Sequence, residues 1–388
     1  MTHLDLPPEL GASRLPALPA DFGFTSAHAM AVSGARRLLA ERAPIAHARS
    51  VVEGRAAPDP ELYRELAGLG WLAACAPDAH GGAGPDHLLF ALLLEEQGRV
   101  LLPSPLLASA LALEAIAAGG SPEDAARLIP SIVAGECVAA VAVSEPGGLL
   151  GAGLTRAVRQ GSELALYGAK THVLAGDEAR VLVVPARNHA SELELYAVEL
   201  PCPGVRVERE RSVDGTRPLA RFFLDGARVP ARARLAGDAT RALRTVLARG
   251  AAFVAAELVG AAEAVLTMTR DYAVVRQQFG RAIGSFQAVK HPLVDLMCQL
   301  ELARSLSLAA ACAIDHAPAD AERAARMAKA AAGDALAFAV KKGVQLHGGF
   351  GFTWDCDAQL FFKRSLWGQA AFGDAGYHRQ RLARELCG

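Results

Sequence analysis

The chain lacks the cysteine pattern of a zinc site or of a domain held together by disulfides. Its seven cysteines are scattered, odd in number and free of any C-x-x-C pair, which fits a reducing cytoplasm. No metal is expected from the histidines either, because no pair has metal-ligand spacing on one helix face. A Ser-His-Asp or phosphate-loop signature is also missing, which argues against those two chemistries.

A strong net charge and a basic amino-terminal leader are absent as well. The formal net charge is −1, which leaves no bulk field to attract nucleic acid or anionic lipid. The first residues carry acids and prolines, so no signal peptide is expected. The most apolar stretch, around residues 101 to 118, contains two prolines and Glu114, which would be costly in hydrocarbon. We therefore expect neither a nucleic acid nor a membrane as partner.

What the chain does have is a large, apolar, mostly helical composition. It has 388 residues, of which 52% are hydrophobic and 21% charged, enough for two or three domains. Residues 1 to 20 are Pro-rich and are predicted to form a loose arm. Helical periodicity marks residues 21–137 and 236–388, whereas short alternating segments fill 138–235. The predicted fold is mostly α, with a small antiparallel β domain between two helical domains.

Several element boundaries follow from capping and turn residues. Ser121 is expected to cap a helix, and Ser285 to cap the second of the long carboxyl-terminal helices. Gly348 and Gly349 are expected to end the third. The long helices are predicted at 239–278, 285–316 and 319–347, and the strands at 138–143, 164–167, 170–174, 181–184, 193–199 and 221–224.

Four motifs, in order along the chain, resemble those of the acyl-CoA dehydrogenase family. The first is a helix and double-glycine loop at residues 61–84, and the second is Ser144-Glu145-Pro146-Gly147. The third runs RQQFGRAIGSFQ from Arg276 to Gln287, and the fourth reads QLHGGFG at 345–351. Together they cover most of the chain, so their agreement is far more specific than any single match.

The resemblance implies a three-domain flavoprotein that binds FAD. Such a protein oxidises an acyl-CoA or another acyl thioester to its α,β-unsaturated form in lipid or steroid catabolism. It also implies an electron-transfer acceptor protein and a homo-oligomer or a heterotetramer with a related subunit.

The resemblance further assigns FAD-binding positions. Arg276 would hold the pyrophosphate, since its planar fork makes two charge-assisted hydrogen bonds at once, although an exposed salt bridge at a helix end is the alternative. A helix C-cap would equally explain the glycines after Gln345. The complete implied set is Arg276, Phe279, Gln287, Gln345, Gly348, Gly349, Val143 and Ser144.

Two departures affect the flavin positions of the middle domain. Leu149 and Leu150 stand where the family continues with Ser-Asp, and Leu174 stands where a Thr or Ser is expected to bond the flavin ring. Both changes remove hydroxyl groups that the family uses near its ligand.

The largest departure concerns the catalytic base. Family members remove a proton α to the thioester carbonyl with a glutamate, and Gly373 occupies that position. The alternative position used by some relatives falls on Gly250. Asp374 could serve as base if the loop shifts by one residue, but a turn aspartate bonded to its own backbone is the competing interpretation. Glu257, on the same helix face as Gly250, is predicted to be an ion-pair partner of an arginine.

Three functions therefore stay open. The chain could be a dehydrogenase in its own right, with Asp374 as base. It could be a non-catalytic subunit that completes the FAD site of an unlike partner, because the bundle motifs are retained while the acid and the middle-domain hydroxyls are lost. It could also bind acyl thioesters without redox chemistry.

Overall fold

The computed structural model of the protein describes residues 18–151, 153–160 and 163–387. The predicted arm at residues 1 to 20 lies outside the described residues, apart from its last three. Six helices come first, and four of them begin at side-chain caps. Thr25 caps α1, Asp59 caps α3, Asp86 caps α4, and Ser121 caps α6 as predicted. These helices are α1 (Ser26–Arg42), α2 (Ile45–Val52), α3 (Pro60–Gly68), α4 (His87–Arg99), α5 (Leu106–Gly119) and α6 (Pro122–Val133).

The middle of the chain forms one nine-stranded sheet. Most neighbours pair antiparallel, whereas β6 runs parallel to β1 and to β4. The strands are β1 (Ala139–Val141), β2 (Ser144–Glu145), β3 (Leu149–Leu150), β4 (Arg156–Gln160), β5 (Glu163–Leu174), β6 (Val181–Arg187), β7 (Leu193–Glu199), β8 (Val205–Glu210) and β9 (Leu219–Pro230). The two strands predicted at 164–167 and 170–174 are thus one strand, because the sheet pairing continues across Gly168.

Five helices complete the chain: α7 (Ala239–Val275), α8 (Gln287–His316), α9 (Ala321–His347), α10 (Ala358–Ala370) and α11 (Ala375–Cys387). The third long helix ends at His347 as predicted. Two other boundaries were wrong, since α7 ends three residues before Gln278 and α8 begins after Ser285. The Ser285 hydroxyl donates to the carbonyl of Ala282 at 2.7 Å and does not cap α8.

The predicted fold class is confirmed, with helices on either side of a central sheet. Helix α7 is the centre of the bundle and packs against α4, α5, α8 and α9. By length and composition alone α7 and α8 could cross a membrane, and 72% and 44% of their apolar windows are buried within the chain. Buried core helices of globular proteins share this length and composition. The domain limits drawn from the sequence stay predictions.

A buried charge cluster ties the three parts of the fold together. Glu257 of α7 pairs with Arg217 from the loop before β9 and accepts from Gln97 of α4. This confirms the ion-pair role predicted for Glu257. In the same loop, Asp214 accepts from Arg364 of α10 at 2.5 Å, with both side chains buried. Because single buried charges are costly, such pairing holds the sheet and the bundle in one arrangement.

Candidate active site

A cleft of about 720 Å³ lies where the sheet meets the bundle. Most of its lining is apolar and comes from α5, the strand ends, α7 and α10. The structure brings Val143 and Ser144 to this cleft, together with Leu174 and the segment from Phe372 to Asp374. Sites for small molecules in proteins are mostly apolar concavities of this size with a few polar groups. The cleft is therefore the candidate active site of this chain.

Glu145, beside Ser144, fixes the loop that lines the cleft. Its carboxylate is fully buried and accepts from Lys170 at 2.9 Å, from the hydroxyl of Thr155 at 2.5 Å and from the backbone of Gly153, Leu154 and Thr155. Burial alone would raise the pKa of Glu145, but the hydrogen bonds from Thr155 and Lys170 lower it to about 2. The sequence reasoning singled out the motif around Glu145 but missed this role. Its signal was a pair of opposite charges next to apolar stretches of β1 and β5.

Leu174 lies in the cleft wall at the end of β5. The departure noted in the sequence therefore falls at the cleft itself, where an aliphatic side chain replaces a hydroxyl. Leu150 lines the same cleft from β3. This chain's own cleft consequently offers few hydrogen bonds to a flavin ring.

Both family positions for the base are filled by aromatic rings of this chain. A Cβ atom built on Gly250 would lie 2.4 Å from the ring of Phe372, and one on Gly373 would lie 2.5 Å from the ring of Tyr377. Real Cβ atoms do not approach so closely. In addition, Phe372 and Gly373 have φ values of +55° and +99°, which disfavour a glutamate at residue 373. Phe372 was missed in the sequence because its role depends on a helix 122 residues earlier.

Two buried titratable groups, Lys329 and His378, lie against the segment from Phe372 to Asp374. Lys329 of α9 donates to the carbonyl of Gly373 at 2.8 Å, and burial lowers the pKa of Lys329 to about 8 although Asp374 opposes this. Burial, with a contribution from Lys329, lowers the pKa of His378 to about 4. A neutral His378 is therefore expected beside the segment at neutral pH.

Asp374 caps helix α11. Its Oδ1 accepts from the backbone N–H of Tyr377 at 2.6 Å, the geometry of an N-cap aspartate. Asp374 also lines the cleft, and within the described part of the chain it is the sole carboxylate that does so. The geometry therefore favours the turn interpretation while leaving Asp374 at the cleft.

The remaining predicted FAD positions lie apart from this cleft, on the face formed by the ends of α7 and α9 and the start of α8. Phe279 and Gly280 both have positive φ and form the two-residue turn of a small hairpin, β10 (Gln277–Gln278) and β11 (Arg281–Ala282). Phe279 is 92% exposed, and Arg276 next to the hairpin is exposed too. Among the described residues, no carboxylate lies within 4.0 Å of the Arg276 guanidinium, so the alternative salt bridge is not seen there.

This bundle face fits a FAD that approaches from outside the chain. Built Cβ atoms on Gly348 and Gly349 would meet nothing within 4 Å, which leaves room for a flat ligand beside the exposed Gln345. Helix α8 begins at Gln287 without a side-chain cap. The N–H of Val289 donates to the carbonyl of Phe286 at 3.0 Å, whereas those of Gln287 and Ala288 have no acceptor among the described residues and could receive a phosphate. Arg276 supplies the cation. The face thus combines open backbone, free donors and positive charge.

Comparison with known proteins gives consistent matches along the chain. Residues 25–136 match the model of the acyl-CoA dehydrogenase N-terminal domain, and residues 237–387 match that of the C-terminal domain. The acyl-CoA dehydrogenase IpdE2 of Mycobacterium tuberculosis is 32% identical over 332 residues, covering 84% of this chain and 87% of that protein.

Two solved structures, each named for a pair of proteins, contain similar chains. One is the ChsE4–ChsE5 complex of Mycobacterium tuberculosis, with a TM-score of 0.86 and 29% identity over 94% of this chain and 98% of the other. The other is the Tcur3481–Tcur3483 steroid ACAD, with a TM-score of 0.83 and 32% identity over 92% and 97% of the two chains.

Proposed function

Because the chain belongs to the acyl-CoA dehydrogenase family, whose members bind FAD and act on CH–CH donors, we propose that it works as one subunit of a mixed dehydrogenase. In this proposal the chain completes the FAD site of an unlike, related partner. The partner supplies the catalytic base and the substrate cleft. The complex oxidises an acyl thioester to its α,β-unsaturated form and passes electrons to an acceptor protein.

One observation carries the proposal. The two positions at which relatives place the base are glycines, and the space of their side chains is taken by Phe372 and Tyr377. A carboxylate cannot enter at either position without moving an aromatic ring. By contrast, the bundle face around Arg276 is open and exposed, as a surface that serves a neighbour's cofactor would be.

In the complex, this chain's residues would bind and orient the cofactor. Arg276 would bind its pyrophosphate, and the free N–H groups at the start of α8 would donate to the same phosphates. The side chains of Gln287 and Gln345 would form hydrogen bonds with its polar groups. When bound, FAD supplies the acceptor for the hydride that leaves the β carbon of the substrate. The steroid ACAD among the similar structures supports a polycyclic acyl thioester as substrate.

The cytoplasm is the proposed location. All seven cysteines are free thiols, as a reducing compartment would keep them.

Co-expression tests the proposal. The chain is purified alone and together with a related chain that retains the family's glutamate, and FAD content and turnover of an acyl-CoA are measured for both. We expect flavin and turnover in the complex, and neither in the lone chain. Full flavin content and turnover from the chain by itself would refute the proposal.

A second candidate is a self-sufficient dehydrogenase with Asp374 as base. It is favoured by the position of Asp374, whose carboxylate lines the cleft. Asp374→Asn would then abolish turnover and leave the bound flavin in place. If the chain serves only a partner's site, the same substitution leaves the turnover of the complex unchanged.

A further inference from the structure

The cleft of this chain has a volume of about 720 Å³ although aromatic rings fill both base positions. Resting on the mixed-complex function proposed above, we infer that this cleft is a separate, non-redox binding site for an apolar carboxylic acid. Phe372 and Tyr377 occupy the spaces that a base at residue 250 or 373 would need, so neither family position can deprotonate a ligand bound here. The site would sense or store an acid and leave it unchanged.

The lining indicates the apolar part of the ligand. Leu111, Val143, Leu174 and Leu247 contribute to the walls, and Trp367 contributes an aromatic face. With about 720 Å³, the cleft is within the range of small-molecule sites, which is roughly 300–1,000 Å³. A chain or an alicyclic ring system fits these walls better than a polar ligand, because each polar group buried there would lose its bonds to water.

Arg381 at the cleft indicates the acidic part. It lies one helical turn after Tyr377 on α11, with its guanidinium 5.4 Å from the centre of the Tyr377 ring. Within the described residues no carboxylate lies within 4.0 Å of this guanidinium. Asp374, the acid of the cleft, already accepts the N-cap hydrogen bond of α11. A free carboxylate from a ligand would therefore find an unpaired arginine fork.

Trp367 allows binding to be measured at this site. The chain has three tryptophans, so replacing Trp71 and Trp354 with Phe leaves Trp367 as its sole tryptophan. The probe is cis-parinaric acid, a conjugated fatty acid whose absorption overlaps tryptophan emission. It is titrated into the complex, and the loss of Trp367 emission is followed against a Trp367→Phe complex as background.

We expect saturable quenching by the acid. Arg381→Gln should weaken binding about tenfold, because a charge-assisted hydrogen bond is lost, and Leu150→Glu should weaken it by repelling the carboxylate. The matched control is Arg384→Gln, which removes an exposed arginine of the same helix outside the cleft and should leave affinity unchanged. The coenzyme A thioester of the same acid, run as a second arm, should bind more weakly than the acid.

The FAD content of the complex separates this inference from the proposed function. One FAD per pair of unlike chains with no saturable quenching would overturn the inference alone. Equal affinity of wild type, Arg381→Gln and Leu150→Glu for the acid would also overturn the inference. Tighter binding of the thioester than of the acid would overturn it too. Two FAD per pair would contradict the proposed function itself, because the cleft would then hold flavin.

Discussion

At the scale of single residues, the contact between Gly250 and Phe372 has a measurable energy. Gly250→Ala adds a methyl group 2.4 Å from the Phe372 ring, and overpacking of this kind costs about 1–3 kcal/mol. We expect a net loss of up to about 2 kcal/mol in the free energy of unfolding, measured by urea denaturation, because alanine recovers about 1 kcal/mol of the cost through helix propensity.

Gly333→Ala in α9 is the matched control. Its added Cβ would meet nothing within 4 Å, so the same substitution should stabilise the protein by up to about 1 kcal/mol. If both substitutions stabilised the protein equally, the ring of Phe372 would not occupy the space at Gly250.

A second prediction concerns the buried pair of Glu145 and Lys170. Glu145→Gln leaves the buried Lys170 ammonium without its anionic partner, although its hydrogen bond to the carbonyl of Gly151 remains, and should cost about 3–5 kcal/mol. The same change at Glu208, which pairs with Arg206 on the exposed surface, should cost less than about 1 kcal/mol. Denaturant unfolding at neutral pH measures both, and similar losses at the two sites would contradict the role given to Glu145.

The pH dependence of this pair has a definite sign. The pKa of Glu145 falls from its ordinary value of 4.5 to about 2 in the folded protein, so the unfolded chain binds its proton first. The stabilisation is fully present above pH 4.5 and is lost as the pH falls through that value towards 2. Unfolding curves between neutral pH and about pH 3 should show a smaller acid-induced loss for Glu145→Gln than for wild type.

At the scale of elements, α11 separates the two interpretations of Asp374. As an N-cap, Asp374 can be replaced by Asn with little effect, whereas Asp374→Ala should cost about 1 kcal/mol. A base would behave differently, because Asn and Ala would both abolish turnover. Thermal unfolding and turnover of the complex are measured for both variants. Loss of activity with unchanged stability in Asp374→Asn would show that Asp374 acts as a base, whereas unchanged stability in Asp374→Ala would overturn the capping interpretation.

The same elements show what the sequence could predict. Caps are local, so Ser121 and the end of α9 at His347 were predicted correctly. The prediction that Ser285 caps α8 was wrong because the hairpin at Phe279-Gly280 continues into a short turn that uses the serine hydroxyl. Strand β8, which reads VRVERE, was missed because it is largely exposed and lacks the apolar alternation of a half-buried strand.

At the scale of the whole molecule, the order of helices, sheet and helices was predictable because the hydrophobic period changes along the chain. The cleft could not be predicted, since its walls come from segments up to about 270 residues apart, and packing decides whether they meet. Three of the four motifs pointed to FAD positions, but the division of these positions between two places, Val143 and Ser144 in the cleft and Arg276 on the exposed bundle face, is a property of the folded chain.

This division yields a prediction for the assembled complex. Arg276→Ala should weaken FAD binding to the complex roughly tenfold to a hundredfold, because a bidentate charged contact contributes about 1.5–3 kcal/mol. FAD retention is measured by absorbance after dialysis, with the partner chain unchanged.

Arg270→Ala is the matched control for that prediction. Arg270 is an exposed arginine on the same helix, and it pairs with its neighbour Asp271 at 2.7 Å. It lies nearly two turns before Arg276, and its loss should leave FAD content unchanged. If the complex lost FAD equally with either variant, a general loss of charge would explain the result. If it kept FAD with Arg276→Ala, the Arg276 guanidinium would not hold the partner's cofactor.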